Sequence, residues 1–182
     1  VGAMGPHKGL QHLLDVCAAL PPQRRVVLIG YADGQLSPGW KLPGRLWVHG
    51  PFEPADLGPL LQGYGARLVL FPAGQPESFC YALSDVWLAG WPVLVPDHGA
   101  LGERVRRQGR GQVYDPALAP AQVAHHRRDA RRQRRDRRPH HARGLALADG
   151  WQGVCQGRIC AMAALAGSPF GANHRHPRTG IG

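Results

Sequence analysis

The sequence predicts a doubly wound α/β fold, in which helices cover both faces of a parallel sheet. From residue 1 to residue 115, short apolar runs alternate with amphipathic segments. Parallel strands require crossover connections of about a dozen residues or more, which the amphipathic segments can supply. Most apolar runs are followed by Gly or Pro, which marks loops after strands. These two patterns favour a parallel sheet over strands that are joined by hairpins.

The first helix is predicted from Gly9 to Leu20, because apolar residues recur there with helical spacing. Its apolar face consists of Leu10, Leu13, Leu14, Cys17 and Leu20. Pro21 and Pro22 end this helix. The next element is a strand from Arg25 to Ile29, whose branched apolar residues are typical of a strand buried on both faces.

The later elements follow a loop that is rich in Gly and Pro and reaches Pro43. They are a strand near Leu46 to His49, a helix from Pro54 to Tyr64, a strand from Leu68 to Phe71, a helix from Phe79 to Gly90, a strand from Val93 to Val95, a helix near Leu101 to Arg107 and a strand from Gln112 to Tyr114. Ligands of such sheets bind beyond the carboxyl ends of the strands. The loops that follow Gly30, Gly50, Phe71 and Pro96 therefore form the predicted ligand edge.

The chain is expected to contain one folded domain, residues 1–115, and a basic tail, residues 116–182. Residues 1–115 contain 10 Lys and Arg against 9 Asp and Glu, whereas residues 116–182 contain 12 against 3. The net charge of +10 is therefore concentrated in the tail. Val1 stands directly before the glycine loop Gly2 to Gly9, which predicts that the first strand of the sheet is truncated.

The tail contains the arginine and histidine run AHHRRDARRQRRDRRPHHARG. Such a composition predicts a disordered arm that can bind nucleic acid through phosphate contacts, although aromatic residues for base stacking are missing from the run. A shifted reading frame near Pro116 to His126 is the alternative, since CAC and CGC codons read one base later encode Thr and Ala. The weakly apolar stretch Ile159 to Ala166 is predicted as a short helix.

The composition also excludes several classes of protein. No apolar run approaches the roughly 20 residues of a transmembrane span, and the first residues do not read as a signal peptide. Cys17, Cys80, Cys155 and Cys160 form no CxxC pair, and the adjacent histidine pairs lack the spacing of a zinc site. We therefore expect a cytoplasmic protein with reduced cysteines, without a metal or another cofactor.

Residues 71–95 combine a strand end, a helix start and two acidic residues in one segment. Glu77 precedes the helix predicted from Phe79, and Asp85 lies eight residues after Glu77. A helix start offers backbone N–H groups and a partial positive charge to a phosphate. The segment therefore predicts an anion-binding site, with the N–H groups of Phe79, Cys80 and Tyr81 as its donors.

Four motifs of the chain occur in the order and spacing of a known family. They are Gly2 to Gly9, Val27 to Gly30, Pro76 to Asp85 and Ala89 to Val93. Together they resemble the C-terminal, nucleotide-sugar-binding half of a retaining GT-B glycosyltransferase of the glycosyl transferases group 1 type. The resemblance covers residues 1 to about 115 and implies a Rossmann-like domain, one half of a GT-B fold.

The resemblance assigns Lys8 to the diphosphate of the donor, with Gly5 and Gly9 beside it in the glycine loop. Relatives often carry an arginine in the same loop, where this chain has Ala3. The alternative interpretation of Lys8 is a solvated lysine. A cation is unfavourable at the start of a helix unless an anion is bound there, which favours the functional interpretation.

The resemblance also assigns roles to residues of the motif Pro76 to Asp85. Glu77 orients the donor sugar and, with Lys8, is a candidate catalytic residue; Asp85 replaces a glutamate that binds the ribose hydroxyls. The segment Ser78 to Tyr81 binds the distal phosphate. As alternatives, Glu77 is a carboxylate that stabilises a helix start by about 0.3–1 kcal/mol and Asp85 a solvent-facing helix residue. Phe52 near the base and His98 as a base are weaker candidates, and we interpret Trp87 and Trp91 as packing residues.

The implied reaction is transfer of a sugar from a nucleoside diphosphate sugar to an acceptor hydroxyl, with retention and without a metal. Stabilisation of the leaving diphosphate is the main task of the protein. The acceptor, a glycan, a lipid or a small molecule, requires a second domain before this one, so this chain alone is expected to be an inactive fragment. The alternative is a nonenzymatic nucleotide-binding domain with a basic arm that binds nucleic acid.

Overall fold

The computed structural model describes residues 3–32, 37–42 and 44–125, together with the backbone of residues 162–166. These residues form a mixed α/β structure. Its helices are α1 (Leu10–Ala19), α2 (Leu57–Gly63), α3 (Tyr81–Leu88), α4 (Gly99–Gln108) and α5 (Pro120–His125). Its strands are β1 (Ala3–Met4), β2 (Arg25–Ile29), β3 (Tyr31–Ala32), β4 (Gly39–Lys41), β5 (Leu46–Gly50), β6 (Ala66–Leu70), β7 (Val93–Pro96), β8 (Gln112–Tyr114) and β9 (Met162–Ala166). Short 3-10 turns lie at Pro6–Lys8 and Pro54–Asp56.

The main sheet has the strand order β4-β5-β2-β9-β6-β7-β8. β2 pairs in parallel with β5, and β6, β7 and β8 form a second parallel set. β9 lies between the two sets and is antiparallel to both β2 and β6. β2 and β6 therefore run in the same direction, and the loops that follow the five parallel strands lie at one edge of the sheet.

Two apolar cores lie on opposite faces of the sheet, because successive strand residues point to opposite sides. Val26 and Leu28 of β2 pack in the core that contains α1 and α5. Val27 and Ile29 pack in the core that contains α2, α3 and α4. All four side chains are at most 2% exposed, so β2 is buried on both faces, as its unbroken apolar run predicts.

The elements predicted between residues 9 and 114 agree with the structure in type, and they differ at their ends and in several short strands. β2 and β8 have the predicted bounds, whereas α3 begins at Tyr81 and ends at Leu88, inside the predicted range. The Gly- and Pro-rich loop contains β3 and β4, which are too short to show periodicity; β4 is fixed by antiparallel pairing with β5. The helix predicted at Ile159 to Ala166 is wrong, because β2 and β6 pair with Met162–Ala166 on both sides.

The folded part also continues past the boundary predicted at residue 115. Helix α5 packs against α1 and buries Val123 and Ala124, which are 2% and 4% exposed. The predictions of disorder, of a nucleic-acid-binding arm and of a shifted reading frame concern mainly residues 126–161 and 167–182, which lie outside the described residues. None of the helices in the described ranges combines the length and the apolar character that crossing a bilayer requires.

The first strand places the glycine loop at the carboxyl end of β2. β3 continues the chain beyond β2, and β1 pairs with it in parallel, Ala3 opposite Tyr31 and Met4 opposite Ala32. The loop that follows β1 therefore starts beside the carboxyl end of β2. This is the edge at which the sequence predicts the ligand.

Candidate functional site

The glycine loop is a tight turn that leads directly into α1. Pro6 opens a single 3-10 turn, and the carbonyl oxygen of Gly5 accepts hydrogen bonds from the N–H groups of Lys8 (3.0 Å) and Leu10 (3.4 Å). Gly9 then adopts a left-handed conformation, with φ of 79°, and forms the N-cap of α1. The turn places Lys8 immediately before Gly9, the N-cap residue of α1.

The glycine loop packs, backbone against backbone, on the loop that follows β6. A Cβ atom on Gly9 would lie 2.3 Å from the carbonyl oxygen of Ala73, and one on Gly74 would lie 2.7 Å from the backbone of Lys8. The N–H group of Gln75 donates to the carbonyl oxygen of His7 (2.8 Å). Since real Cβ atoms do not approach other atoms this closely, the contact requires glycine at both positions.

An ion pair joins the two loops at their surface. The Nζ atom of Lys8 lies 3.5 Å from Oε1 of Glu77, and each side chain is 26% exposed. Ion pairs with this exposure stabilise a fold by about 0–1 kcal/mol, because water competes for both charges. Loss of this ion pair by itself therefore costs the fold little.

Glu77 lies in the loop before α3, four residues ahead of its first residue, Tyr81. Asp85 lies within α3, so Glu77 and Asp85 do not belong to the same element. The helix starts late because Cys80 is left-handed, with φ of 60° and ψ of 86°. The start of α4 holds Glu77 instead: the N–H group of Ala100 donates to the carbonyl oxygen of Glu77 (2.9 Å).

The start of α3 exposes two aromatic rings above a buried thiol. Phe79 and Tyr81 are 42% and 38% exposed, and their ring centroids lie 4.8 Å apart. Cys80 between them is 4% exposed and serves as the N-cap residue. No hydrogen bond from its side chain caps the helix, and the first turn of α3 contains no acidic residue. This helix start thus keeps the partial positive charge that attracts an anion.

The remaining site residues lie around these two loops. Ser78 is exposed in the loop beside Glu77. Asp85 lies one turn inside α3, and burial raises the pKa of its carboxyl group above the ordinary value. The contacts therefore join Lys8, Gly9 and Glu77 into one group and place Phe79 and Tyr81 in a second, while Asp85 belongs to the body of α3.

His12, which belongs to none of the sequence motifs, supports the loop contact from inside the molecule. Its Nδ1 atom accepts a hydrogen bond from the N–H group of Ala73 (2.7 Å), so the ring is neutral with its proton on Nε2. Nε2 is buried and has no hydrogen-bond partner among the described residues. Burial lowers the pKa of His12, with the charge of Asp15 acting in the opposite direction. The only signal in the sequence is a histidine beside the apolar face of α1.

Phe52 and His98 are the weaker candidates from the sequence. Phe52 packs against the core, and His98 is the N-cap residue of α4. The indole N–H groups of Trp87 and Trp91 donate to the carbonyl oxygens of Arg110 (2.7 Å) and Ala66 (3.0 Å), as expected for packing residues. Within the described ranges, no three His, Cys, Asp or Glu side chains are grouped so that they could bind a metal.

Comparison of the chain with protein-family models, curated proteins and solved structures finds no match.

Proposed function

We propose that this chain contains the donor-nucleotide-binding domain of a retaining GT-B glycosyltransferase and binds a nucleoside diphosphate sugar between the starts of α1 and α3. The observation that carries the proposal is the contact between the glycine loop and the Glu77 loop, which brings Lys8 to 3.5 Å from Glu77 at the carboxyl edge of the sheet. A Rossmann-like, doubly wound domain binds its nucleotide at this edge.

The sheet supports the same interpretation. Five strands, β5, β2, β6, β7 and β8, share one direction, and helices pack on both faces. The direction shared by β2 and β6 follows from their pairing with β9. Helices on both faces of parallel strands are the arrangement in which βαβ crossovers place them.

In the proposed complex, the diphosphate lies next to Lys8 and replaces the carboxylate of Glu77 there. The N–H groups at the start of α3 bind the distal phosphate, and the released carboxylate of Glu77 orients a hydroxyl group of the sugar. Asp85 binds the ribose. As the glycosidic bond breaks, Lys8 and the helix start neutralise the charge that grows on the diphosphate. A domain that binds the acceptor hydroxyl completes the enzyme, and the transfer proceeds with retention.

The test is titration of the full chain with UDP, GDP and ADP. We expect one nucleotide to bind with a dissociation constant on the order of 0.1–1 mM, because half of a cleft buries little of the ligand. Lys8→Met should weaken this binding about tenfold or more, since a hydrogen bond to a charged group is worth about 1.5–3 kcal/mol. Lys41→Met is the control, because Lys41 lies at the end of β4 and donates a hydrogen bond to Ser37, in the loop before β4.

Equal binding by the two lysine variants would contradict the proposal. The alternative function, a basic arm that binds nucleic acid, predicts a different pattern. Binding through the arginine run would fall steeply with added salt, and Lys8→Met would not change it because the run is intact in that variant. The same pair of variants therefore separates the two functions without truncation of the chain.

A further inference from the structure

We infer that Arg104 is a positioning residue, which fixes the backbone at the start of α3 so that its N–H groups face the candidate anion site. Arg104 lies on α4 and belongs to none of the motifs that predict the site. The part of this inference that concerns a ligand rests on the proposed function, whereas the part that concerns the backbone does not.

A single guanidinium group contacts three acceptors around this turn. The Nη1 atom of Arg104 donates to the carbonyl oxygens of Phe79 (2.7 Å) and Cys80 (2.8 Å). Its Nη2 atom donates to the Oγ atom of Ser84 (2.7 Å), one turn further along α3. The planar fork of arginine can bond several acceptors at once, which a lysine ammonium does less rigidly.

The same guanidinium group also holds the exposed aromatic ring. Its Cζ atom lies 4.2 Å from the ring centroid of Phe79 and 5.3 Å from that of Trp87. Cation–π contacts form within about 6 Å of a ring centroid. Arg104 therefore contacts the backbone and the side chain of Phe79 together, although this side chain is 42% exposed.

The two carbonyl bonds determine where the neighbouring N–H groups point. In a trans peptide group, the C=O and the following N–H lie in one plane and point in opposite directions. Because the carbonyl groups of Phe79 and Cys80 face Arg104, the N–H groups of Cys80 and Tyr81 face away from it. These are two of the three N–H groups that the sequence assigns to the distal phosphate.

The turn needs such support, because Cys80 is not a glycine. A left-handed conformation costs a residue with a Cβ atom about 1–2 kcal/mol and persists only where the surroundings impose it. Helix α4 provides these surroundings twice, through Arg104 and through the N–H group of Ala100, which binds Glu77. Loss of Arg104 should let the turn relax and let the N–H groups change direction.

The experiment uses nuclear magnetic resonance of the full chain, first without ligand. The 13C chemical shifts of Phe79 and Cys80 report the backbone conformation. In Arg104→Ala they should move away from left-handed values, and methylguanidinium, which can replace the lost group, should move them back. Arg110→Ala is the matched control, because Arg110 also stacks on Trp87 but donates to the carbonyl oxygen of Trp87, at the other end of α3.

Titration with UDP then gives the second readout. Arg104→Ala should bind UDP about tenfold more weakly, with recovery in methylguanidinium but not in methylammonium, while Arg110→Ala binds like the wild type. Adding Cys80→Gly to Arg104→Ala should restore part of the affinity, because glycine adopts the left-handed conformation without strain. Arg104→Lys keeps the charge and the aliphatic stem, so its affinity for UDP should lie between those of the wild type and Arg104→Ala. It replaces Arg104→Ala in the experiment if the alanine variant does not fold.

Each result decides one question. Unchanged 13C shifts in Arg104→Ala would overturn the positioning role, whatever the chain binds. Changed shifts with unchanged UDP affinity would overturn the link to the ligand site. If the wild type binds no nucleotide while the shifts change and recover as expected, the positioning role stands and the proposed function fails.

Discussion

The left-handed residues at the starts of α1 and α3 are held in place by different kinds of contact. Both helices begin after a left-handed residue, Gly9 with φ of 79° and Cys80 with φ of 60°, and neither N-cap forms a side-chain hydrogen bond. At Gly9 the main chain of the facing loop excludes any Cβ atom. At Cys80 a buried thiol is present, and the strained backbone is held by Arg104.

Packing of the backbone holds the start of α1, whereas a side chain holds the start of α3. The start of α1 depends on the close approach of two main chains, so it tolerates no change of residue at Gly9. The start of α3 depends on contacts from α4, so it tolerates a side chain as long as those contacts remain. Substitutions at the two helix starts should therefore differ in their effect on stability.

Gly9→Ala should be the most damaging substitution. The new Cβ atom would lie 2.3 Å from the carbonyl oxygen of Ala73, and the residue would also pay for its left-handed conformation. We expect a loss of about 3 kcal/mol in the free energy of unfolding, measured by urea denaturation. Gly90→Ala is the control, since Gly90 has φ of 82° and no atom of the described residues lies within 4 Å of the new Cβ. It should lose only about 1 kcal/mol, and equal losses would show that the loop contact is unimportant.

Cys17 and Cys80, both buried in the part of the chain that the structure describes, should respond differently to replacement by glycine. Cys17, within α1, is 0% exposed, and Cys17→Gly should cost about 2–3 kcal/mol through lost burial and low helix propensity. Cys80→Gly loses similar burial, but it relieves the strain of the left-handed conformation. It should therefore cost about 2 kcal/mol less than Cys17→Gly. Equal costs, measured by the same denaturation experiment, would mean that Cys80 is not strained.

The contribution of His12 to the free energy of unfolding should depend weakly on pH. Because burial lowers the pKa of His12 below its ordinary value of 6.5, the unfolded chain binds the proton more readily than the folded chain. The contribution of His12 is therefore complete above pH 6.5 and is lost as the pH falls from there through the lowered pKa of the folded state.

His12→Asn removes this titration and keeps an acceptor for the N–H group of Ala73. It should therefore reduce the slope of the unfolding free energy between pH 6.5 and pH 5, measured at constant ionic strength. A slope that is unchanged in His12→Asn would exclude His12 as its source.

The glycine loop could be predicted from sequence because glycine itself is the signal. Gly5 and Gly9 at fixed spacing mark a tight turn into a helix, and the periodicity of α1 and the apolar run of β2 locate its neighbours. The late start of α3 could not be predicted, because it depends on a left-handed cysteine that is held from another helix. Nothing in the sequence separates Arg104 from Arg106, Arg107 or Arg110; only the fold places it beside Phe79.

Strand β9 could not be predicted either, because contacts that are distant in the sequence define it. Met162–Ala166 has weak local preferences, and its pairing partners, β2 and β6, lie more than 90 residues earlier in the chain. Neighbouring strands at that separation leave no local pattern in the sequence. Short strands such as β3 and β4 were missed for the same physical reason, because pairing rather than propensity defines them.

The most direct test of the account is a titration of the 15N-labelled full chain with UDP, followed through the backbone amide signals. If the two helix starts form one anion site, the amide signals of Lys8 and Gly9 and those of Phe79 to Tyr81 should shift together with a single dissociation constant. Shifts at only one helix start, or shifts confined to other parts of the chain, would contradict the claim that the glycine loop and the start of α3 bind one diphosphate.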